Sequence, residues 1–556
     1  MQKICKKSGV AFSISDEDKA FYEKMNVPLP TLCPDERQKR RLAWRNERTL
    51  HRRKCSGSGR SIVCMYPENT PFPVYDHSYF FSDKWNGLAF GREFDFNRPF
   101  FEQFSELFQV VPRILNYSVS NENAEYGNLS SWNKDCYMLF ESDNNRDSLY
   151  CENTFRSLNL VDCSFCKECQ LCYQCIDIYD CYELRYSLNC KNCSSSWFLK
   201  NCIGCKNCFG SVNLRNKEYY FLNEKLIKDE YEAKMAALDL QSFQSVNKLF
   251  VDFLVHAQKF PNKFINGFQN ENCTGDYLNN CKDSHFCYDS SELRDCKYVY
   301  SCERIKDGYD LHTYGGFEGS ERVYECNSVG RGSFNVAFGN NVYQNMRDSF
   351  YCDNCIDSAD LFGCISLKHN RFCILNKQYS EVEYFKLRNR IVEHMRKSSA
   401  DGQAGEYGEF FPIERSPFAY NETMAQIYYP LTKEEALRAG YKWKDPDPKE
   451  YIPQKVSLPE RIADVGDEIL DEILACEETG KNFKIQKIEL DFYRKMGLPL
   501  PRFCPDQRYL RRIELRNPRR LCNRNCQKCG KEIITTYPSG NKAIVYCEEC
   551  YLEACV

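Results

Sequence analysis

The sequence predicts a mainly β chain with short helices: a duplicated, cysteine-rich parallel β-helix (solenoid) flanked by two copies of a small cysteine-knuckle module. Three observations carry this. The ends of the 556-residue chain register on each other without a gap, Cys5 on Cys476 and Cys55 on Cys526. The middle of the chain repeats at two length scales. Within it, DCSFCKECQLCYQC places cysteine at every third residue, at 163, 166, 169, 172 and 175.

The terminal modules cover residues 1–90 and 471–556. Phe21-Tyr22 falls on Phe492-Tyr493, and PLPTLCPDER (28–37) falls on PLPRFCPDQR (499–508). The C-terminal copy ends in Cys526-x-x-Cys529 and Cys547-x-x-Cys550. Each C-x-x-C forms a tight knuckle that brings two thiolates to one ion at roughly 2.3 Å, and two knuckles complete a tetrahedron with no open position. This is the pattern of a structural zinc site, about one ion per chain. The N-terminal copy carries Cys55, Ser58, Asp76 and Tyr79 at the matching positions and is expected to have lost its metal. Upstream, Cys5-x-x-Ser8 with Cys33-x-x-Glu36, and Cys476-x-x-Thr479 with Cys504-x-x-Gln507, are knuckle pairs that each lack the second cysteine. Either hydrogen bonds hold them, or Cys5/Cys33 and Cys476/Cys504 bind a weakly held metal with an oxygen ligand.

The run C-x-x-[CST]-G-x-x-F-x-I, followed by FY-x-K and P-x-x-CPD-x-R, resembles the small bacterial "probable zinc-ribbon" family. The combined layout is similar to large cysteine-rich zinc-ribbon proteins of uncultured bacteria. The resemblance covers roughly the first half of each module, where half of that family's ligands are missing. It implies a zinc-ribbon or treble-clef-like fold and brings no activity with it.

Between the knuckles lies a basic segment. RQKRRLAWRNERTLHRRK (37–54) holds nine Lys/Arg and one acid. The spacing puts Arg40, Trp44/Arg45 and Arg48 on one helical stripe. The second copy runs from Arg508, and Pro518 is expected to end its helix near Asn517. Arginine favours bidentate phosphate contact, so RNA or a ribonucleoprotein is the leading partner expectation. The candidate contacts are Arg37, Arg40, Arg41, Arg45, Arg48, Arg52 and Arg53 in one copy, and Arg508, Arg511, Arg512, Arg516, Arg519 and Arg520 in the other. Acidic protein partners, or pairing with acids elsewhere in the chain, compete with that reading.

Two solenoid blocks are expected at 118–224 and 268–380. CFGSVNLRNKEYYFLNEKLIKDEY (208–231) matches LFGCISLKHNRFCILNKQYSEVEY (361–384), and Asn or Asp recurs just before cysteine, as at Asp162, Asp180 and Asn189. Polar corners that tolerate the left-handed conformation, with small or aromatic residues between them, point to stacked rungs. Aligned with its internal partner, Cys163 meets Cys296, but Cys166 meets Val299 and Cys172 meets Ile305. Valine and isoleucine cannot bind metal, whereas a buried thiol packs as a small hydrophobe. Packing thiols therefore lead over a cluster or redox centre at Cys163–Cys175.

The remaining pieces connect. A helix is expected within 91–117, two capping helices within 225–267 and one at 381–397. Residues 398–470 form a linker, SSADGQAGEYGE (398–409), then short helices, one opened by Thr432-x-x-Glu435 and closed by Gly440. A net charge of −3, no secretory h-region at Met1 and no long apolar run predict a cytoplasmic protein without a membrane anchor. In that compartment 35 cysteines are thiols or thiolates, not disulfides. No phosphate-binding, nucleophile-elbow or H-E-x-x-H motif is present, and Asp307, Asp310 and Glu325 are only nominal carboxylates for polysaccharide cleavage. The sequence reads as a non-catalytic binding or scaffold protein. A protein-interaction solenoid and a multi-thiol metal or redox protein are the alternatives.

Overall fold

Every third residue of the solenoid turns a corner. From Asp135 to Leu222 each third residue has φ between 46° and 65° in the computed structural model, which describes residues 1–314, 318–397, 405–445 and 451–555. Strands pair in parallel with a register of twelve, Leu158 on Gln170 and Ser164 on Ile176. Three residues per side and twelve per turn give four short sides. A left-handed corner costs a non-glycine residue on the order of 1 kcal/mol. Asn and Asp pay least, and none of these corners is Val, Ile or Thr, whose branched Cβ fits worst. What offsets the cost is the ladder: corner N–H groups donate to the carbonyl thirteen residues earlier, as Asp162 to Leu149 (3.1 Å) and Tyr186 to Tyr173 (2.9 Å).

From Cys136 to Ser211 the residue after each corner is buried, and the cysteine run follows this rule. Cys163, Cys166, Cys169, Cys172 and Cys175 are all 2% exposed or less. Each thiol donates to the carbonyl two residues back, Cys166 to Ser164 and Cys172 to Gln170, both at 3.3 Å. Interior serines do the same, Ser187 to Arg185 (3.0 Å) and Ser196 to Ser194 (2.7 Å). Cysteine and serine are thus small fillers that also satisfy the carbonyl just before a corner. Leu160, Ile178 and Leu184 fill the same core without a donor. Burial pushes the Cys136 and Cys326 thiols up to about 12, so they stay protonated donors.

The second block follows the same rule. Val299, Ile305 and Leu361, aligned in sequence with cysteines, lie in its dry interior. Gly275 sits at a register shift, where an added Cβ would lie 1.7 Å from the Cys287 carbonyl oxygen. Some turns hold thirteen residues, Phe334 pairing with Arg347.

Two units emerge, each joining one terminal module to one block. The first comprises Met1–Asn116, Ile265–Asp445 and Arg519–Leu521. The second comprises Tyr117–Phe264, Pro446–Pro518 and Cys522–Val556. The N-terminal module therefore belongs with the second block, and the C-terminal module with the first.

Helices close the open ends. Lys228–Ala236 and Phe243–Ala257 bury Tyr231, Val246 and Phe253 against the aromatic face of the first block. Glu381–Arg396, opened by a Ser380/Glu383 capping box, follows the second. The connector helix spans Phe100–Val110. Of the linker at 398–409, residues 398–404 lie outside the described residues. Thr432 accepts from the Glu435 N–H (3.2 Å), that carboxylate accepts from the Thr432 N–H (2.8 Å), and Gly440 has φ +82°. Among the described residues no helix is long and apolar enough to cross a membrane.

The arginine helices are shorter than their spacing implied. They span Pro34–Leu42 and Pro505–Ile513. Arg48 is therefore not on the stripe of Arg40, and Pro518 does not set the second helix's end. After Leu42 the chain tightens, with the Arg45 N–H on the Leu42 carbonyl, while the Arg45 carbonyl accepts from the Met424 N–H (2.9 Å).

Candidate metal centre

Local structure explains how four cysteines meet. Antiparallel strands Cys522–Asn525 and Glu532–Thr535 bring the chain to a hairpin end. There the Cys526 N–H bonds to the Lys531 carbonyl, and Gly530, at φ +78°, completes the knuckle. The second knuckle bridges strand Val545–Tyr546 and helix Glu548–Cys555. The four sulfurs lie within 4.8 Å of one another, the one such group of three or more Cys, His, Asp or Glu among the described residues. Sγ of Cys529 and Sγ of Cys547 are 3.7 Å apart. A tetrahedron with bonds of roughly 2.3 Å has edges of about 3.8 Å, so the spacing suits a thiolate-bound ion. Burial opposes ionisation of Cys526, but the backbone N–H groups of Cys529, Cys547 and Lys528 outweigh it and pull its thiol down to about 6. Three of the sulfurs are buried and Cys529 is exposed. The cluster could hold a metal ion with all four positions filled by protein.

The N-terminal ribbon keeps the same backbone without the ligands. Cys55 Sγ still accepts from the N–H groups of Ser58 (3.3 Å) and Asp76 (3.2 Å), as Cys526 Sγ does from that of Cys547 (3.2 Å). Ser58 Oγ donates to the Asp76 carboxylate, which caps the following helix at the Tyr79 N–H (2.8 Å). The Tyr79 ring lies over Gly57, where an added Cβ would fall 2.4 Å from the ring. A hydrogen bond and a ring thus fill the place of the ion.

The half-knuckles are held by hydroxyls. Ser8 Oγ lies 3.7 Å from Cys33 Sγ, and Thr479 Oγ1 lies 4.0 Å from Cys504 Sγ. Despite burial, donors from Ser8 and neighbouring backbone pull Cys5 down to about 7, and the matching groups around Thr479 do the same for Cys476. Among the described residues neither pair gathers a third Cys, His, Asp or Glu ligand.

Most of the arginines conspicuous in the sequence point at acids of their own unit. Arg37 and Arg41 reach Asp310 (3.0 and 3.2 Å), Arg40 and Arg41 reach Glu325 (2.9 and 3.0 Å), and Arg40 also holds Glu409 (2.6 Å). In the other unit Arg508 and Arg512 share Asp162, Arg512 at 2.9 Å, and Arg516 holds Asp177 in two bonds of 3.0 and 3.1 Å. Asp162 and Asp177 are spaced like Asp310 and Glu325, and all four occupy left-handed corners. The docking is therefore duplicated along with the modules. Arg45 bonds Glu47 and Ser328, Arg53 bonds the Pro67 carbonyl (3.0 Å), and Arg519 bonds Asp289 (2.8 Å). Arg511 makes an exposed pair with Glu478, Arg48 is half-buried, and Arg52 and Arg520 are exposed. The nominal catalytic carboxylates are absorbed too, since Asp307 pairs with Lys24.

No protein-family model matches this chain, and no curated protein matches it. The corner acids were visible in sequence, Asp162 among them, but nothing there marked them as arginine partners.

Proposed function

We propose that this chain is a non-catalytic binding scaffold, its C-terminal ribbon locked by one structural zinc ion on Cys526, Cys529, Cys547 and Cys550. The observation that carries the reading is the tetrad of sulfurs within 4.8 Å of one another, with Cys529 and Cys547 at 3.7 Å. Soft thiolates in a tetrahedral set favour zinc over harder divalent ions, and a filled set leaves no place for substrate. It agrees with the resemblance of both end modules to zinc ribbons. The free state of all 35 thiols supports a reducing, cytoplasmic setting. Elemental analysis of protein purified without chelators tests it. About one zinc per chain fits; iron, or several metals per chain, overturns it.

An RNA or ribonucleoprotein partner is the second reading. Ion pairing within each unit supports a structural role for Arg37, Arg40, Arg41, Arg508, Arg512 and Arg516. Contact with phosphate then falls to the strand His51–Lys54, where Arg52 and Lys54 are exposed beside exposed Arg60. Filter binding at about 50 mM salt, where phosphate contacts are strong, tests it. Absence of RNA binding leaves a scaffold for acidic protein partners, and co-purification after nuclease treatment detects those.

A further inference from the structure

Successive side chains of a strand face opposite ways, and directly paired residues of an antiparallel hairpin share a face. In the N-terminal ribbon Arg52 pairs with Val63, Arg53 with Ile62 and Lys54 with Ser61. That register sorts the basic strand into two sets. On the inner face His51 Nε2 lies 3.4 Å from Glu422 Oε1, and Arg53 donates to the Pro67 carbonyl (3.0 Å) and Thr70 Oγ1 (2.7 Å). On the outer face Arg52 and Lys54 are exposed, with exposed Ser61 opposite Lys54 and exposed Arg60 next to it. Arg52, Lys54 and Ser61, with Arg53 and Glu68, line an open recess of about 320 Å³.

The zinc-ribbon copy has the same hairpin without this face. Its strands pair Asn523 with Ile534 and Asn525 with Glu532. Asn523 stands where the first copy has Arg52, Asn525 where it has Lys54, and Glu532 where it has Ser61. The inner arginine is kept: Arg524 donates to the Pro538 carbonyl at 3.3 Å, as Arg53 does to the matching Pro67. The hairpin forms in both copies around that inner arginine, so folding does not account for the outer cations.

The chemistry of the outer face narrows what it meets. Arg52, Lys54 and Arg60 stand against one exposed acid, Glu68, which suits an anionic partner. The arginine fork and the Ser61 hydroxyl are phosphate donors. Proteins that hold single-stranded nucleic acid stack its bases on aromatic side chains, whereas double-helical RNA hides its bases and is held through phosphates and shape. None of Arg52, Lys54, Ser61 and Val63 offers a ring. Building on the RNA reading above, we infer that the outer face of this hairpin binds the phosphates of double-helical RNA without regard to sequence.

Filter binding of the full-length protein to an RNA duplex of about 20 base pairs, and to each of its separated strands, tests it. The duplex binds at least about fivefold more tightly than either strand, and a duplex of unrelated sequence binds within about twofold. Each phosphate neutralised on a duplex adds about −0.9 to the slope of log affinity against log salt, so three cations lose about 40-fold between about 50 and 200 mM salt. Arg52→Gln combined with Lys54→Gln cuts that loss to about 3.5-fold, the share of the one cation left. Lys531→Gln on the zinc ribbon leaves the wild-type loss unchanged. Circular dichroism and melting check that each variant is folded. No binding to any of these RNAs removes the RNA reading and this face with it. Strands that bind as tightly as the duplex, or a double variant with the wild-type salt dependence, overturn this assignment alone and leave RNA contact to other residues.

Discussion

Replacing Asp162 with asparagine keeps the side chain's shape and its tolerance of the left-handed corner but deletes one buried negative charge. Asp162 is fully buried and takes Arg508 and Arg512, each 2% exposed. Arg508 retains Glu489 at 3.3 Å, whereas Arg512 is left with two neutral acceptors, the Tyr150 carbonyl at 3.2 Å and Ser164 Oγ at 3.4 Å. Removing one partner of a buried pair costs about 3–5 kcal/mol, mostly because the other charge stays desolvated. With a urea dependence of about 2–3 kcal/mol per molar, the transition of the second unit falls by about 1–2 M. Urea titration followed by fluorescence reads this, and the first unit's transition serves as an internal reference. Adding Arg512→Met to Asp162→Asn restores most of the loss, because it removes the stranded cation and leaves Arg508 its other partner. A loss below about 1 kcal/mol, or no recovery in the double variant, would refute the idea that these helices are clamped by buried ion pairs.

Three further outcomes follow from the same structure. Ser58→Cys, Asp76→Cys and Tyr79→Cys together rebuild four thiolates on the N-terminal ribbon, and elemental analysis is expected to rise from about one zinc per chain to about two. A thiol reagent on the native protein reacts with only a few of the 35 cysteines, and denaturant releases the rest; rapid reaction of the Cys163–Cys175 run would contradict a dry interior. His312 is 2% exposed, with Nε2 3.4 Å from Arg519, which Asp289 also holds, and with Arg45 and Arg41 nearby. Burial first, then these cations, push its pKa well below 6.5. The unfolded chain takes up that proton below about pH 6.5 and the folded one does not, so stability is complete above that pH and falls by up to about 1.4 kcal/mol per unit beneath it. The first unit's urea midpoint at pH 7.5 and 5.5 shows this in the wild type, and His312→Gln flattens the difference.

Much of this architecture could be read from residues near one another in sequence. The step of three in Cys163–Cys175 is the geometry of one side of the rung, and the Val299 and Ile305 substitutions already placed those positions in a packed interior. Cys526, Cys529, Cys547 and Cys550 were legible because knuckle spacing is local. What could not be read was pairing across hundreds of residues. The arginines were conspicuous, but their partners were ordinary corner acids with no mark of their own, so the basic helices looked available to an outside anion. The ends of those helices were misread for a related reason. Leu42 is followed by a tertiary contact, the Met424 N–H on the Arg45 carbonyl, that no periodicity encodes.

The interleaving of modules and blocks imposes a timetable on synthesis. Asp310 leaves the ribosome 273 residues after Arg37, and Arg508 follows Asp162 by 346. At about 5–20 residues per second, the amino-terminal cations wait roughly 15–55 seconds for their carboxylates. Throughout that interval the nascent chain displays a bare cationic helix, and Asp162 of the first solenoid block waits in turn for Arg508 and Arg512. Neither half cut from the middle of the gene would carry both members of any of these pairs.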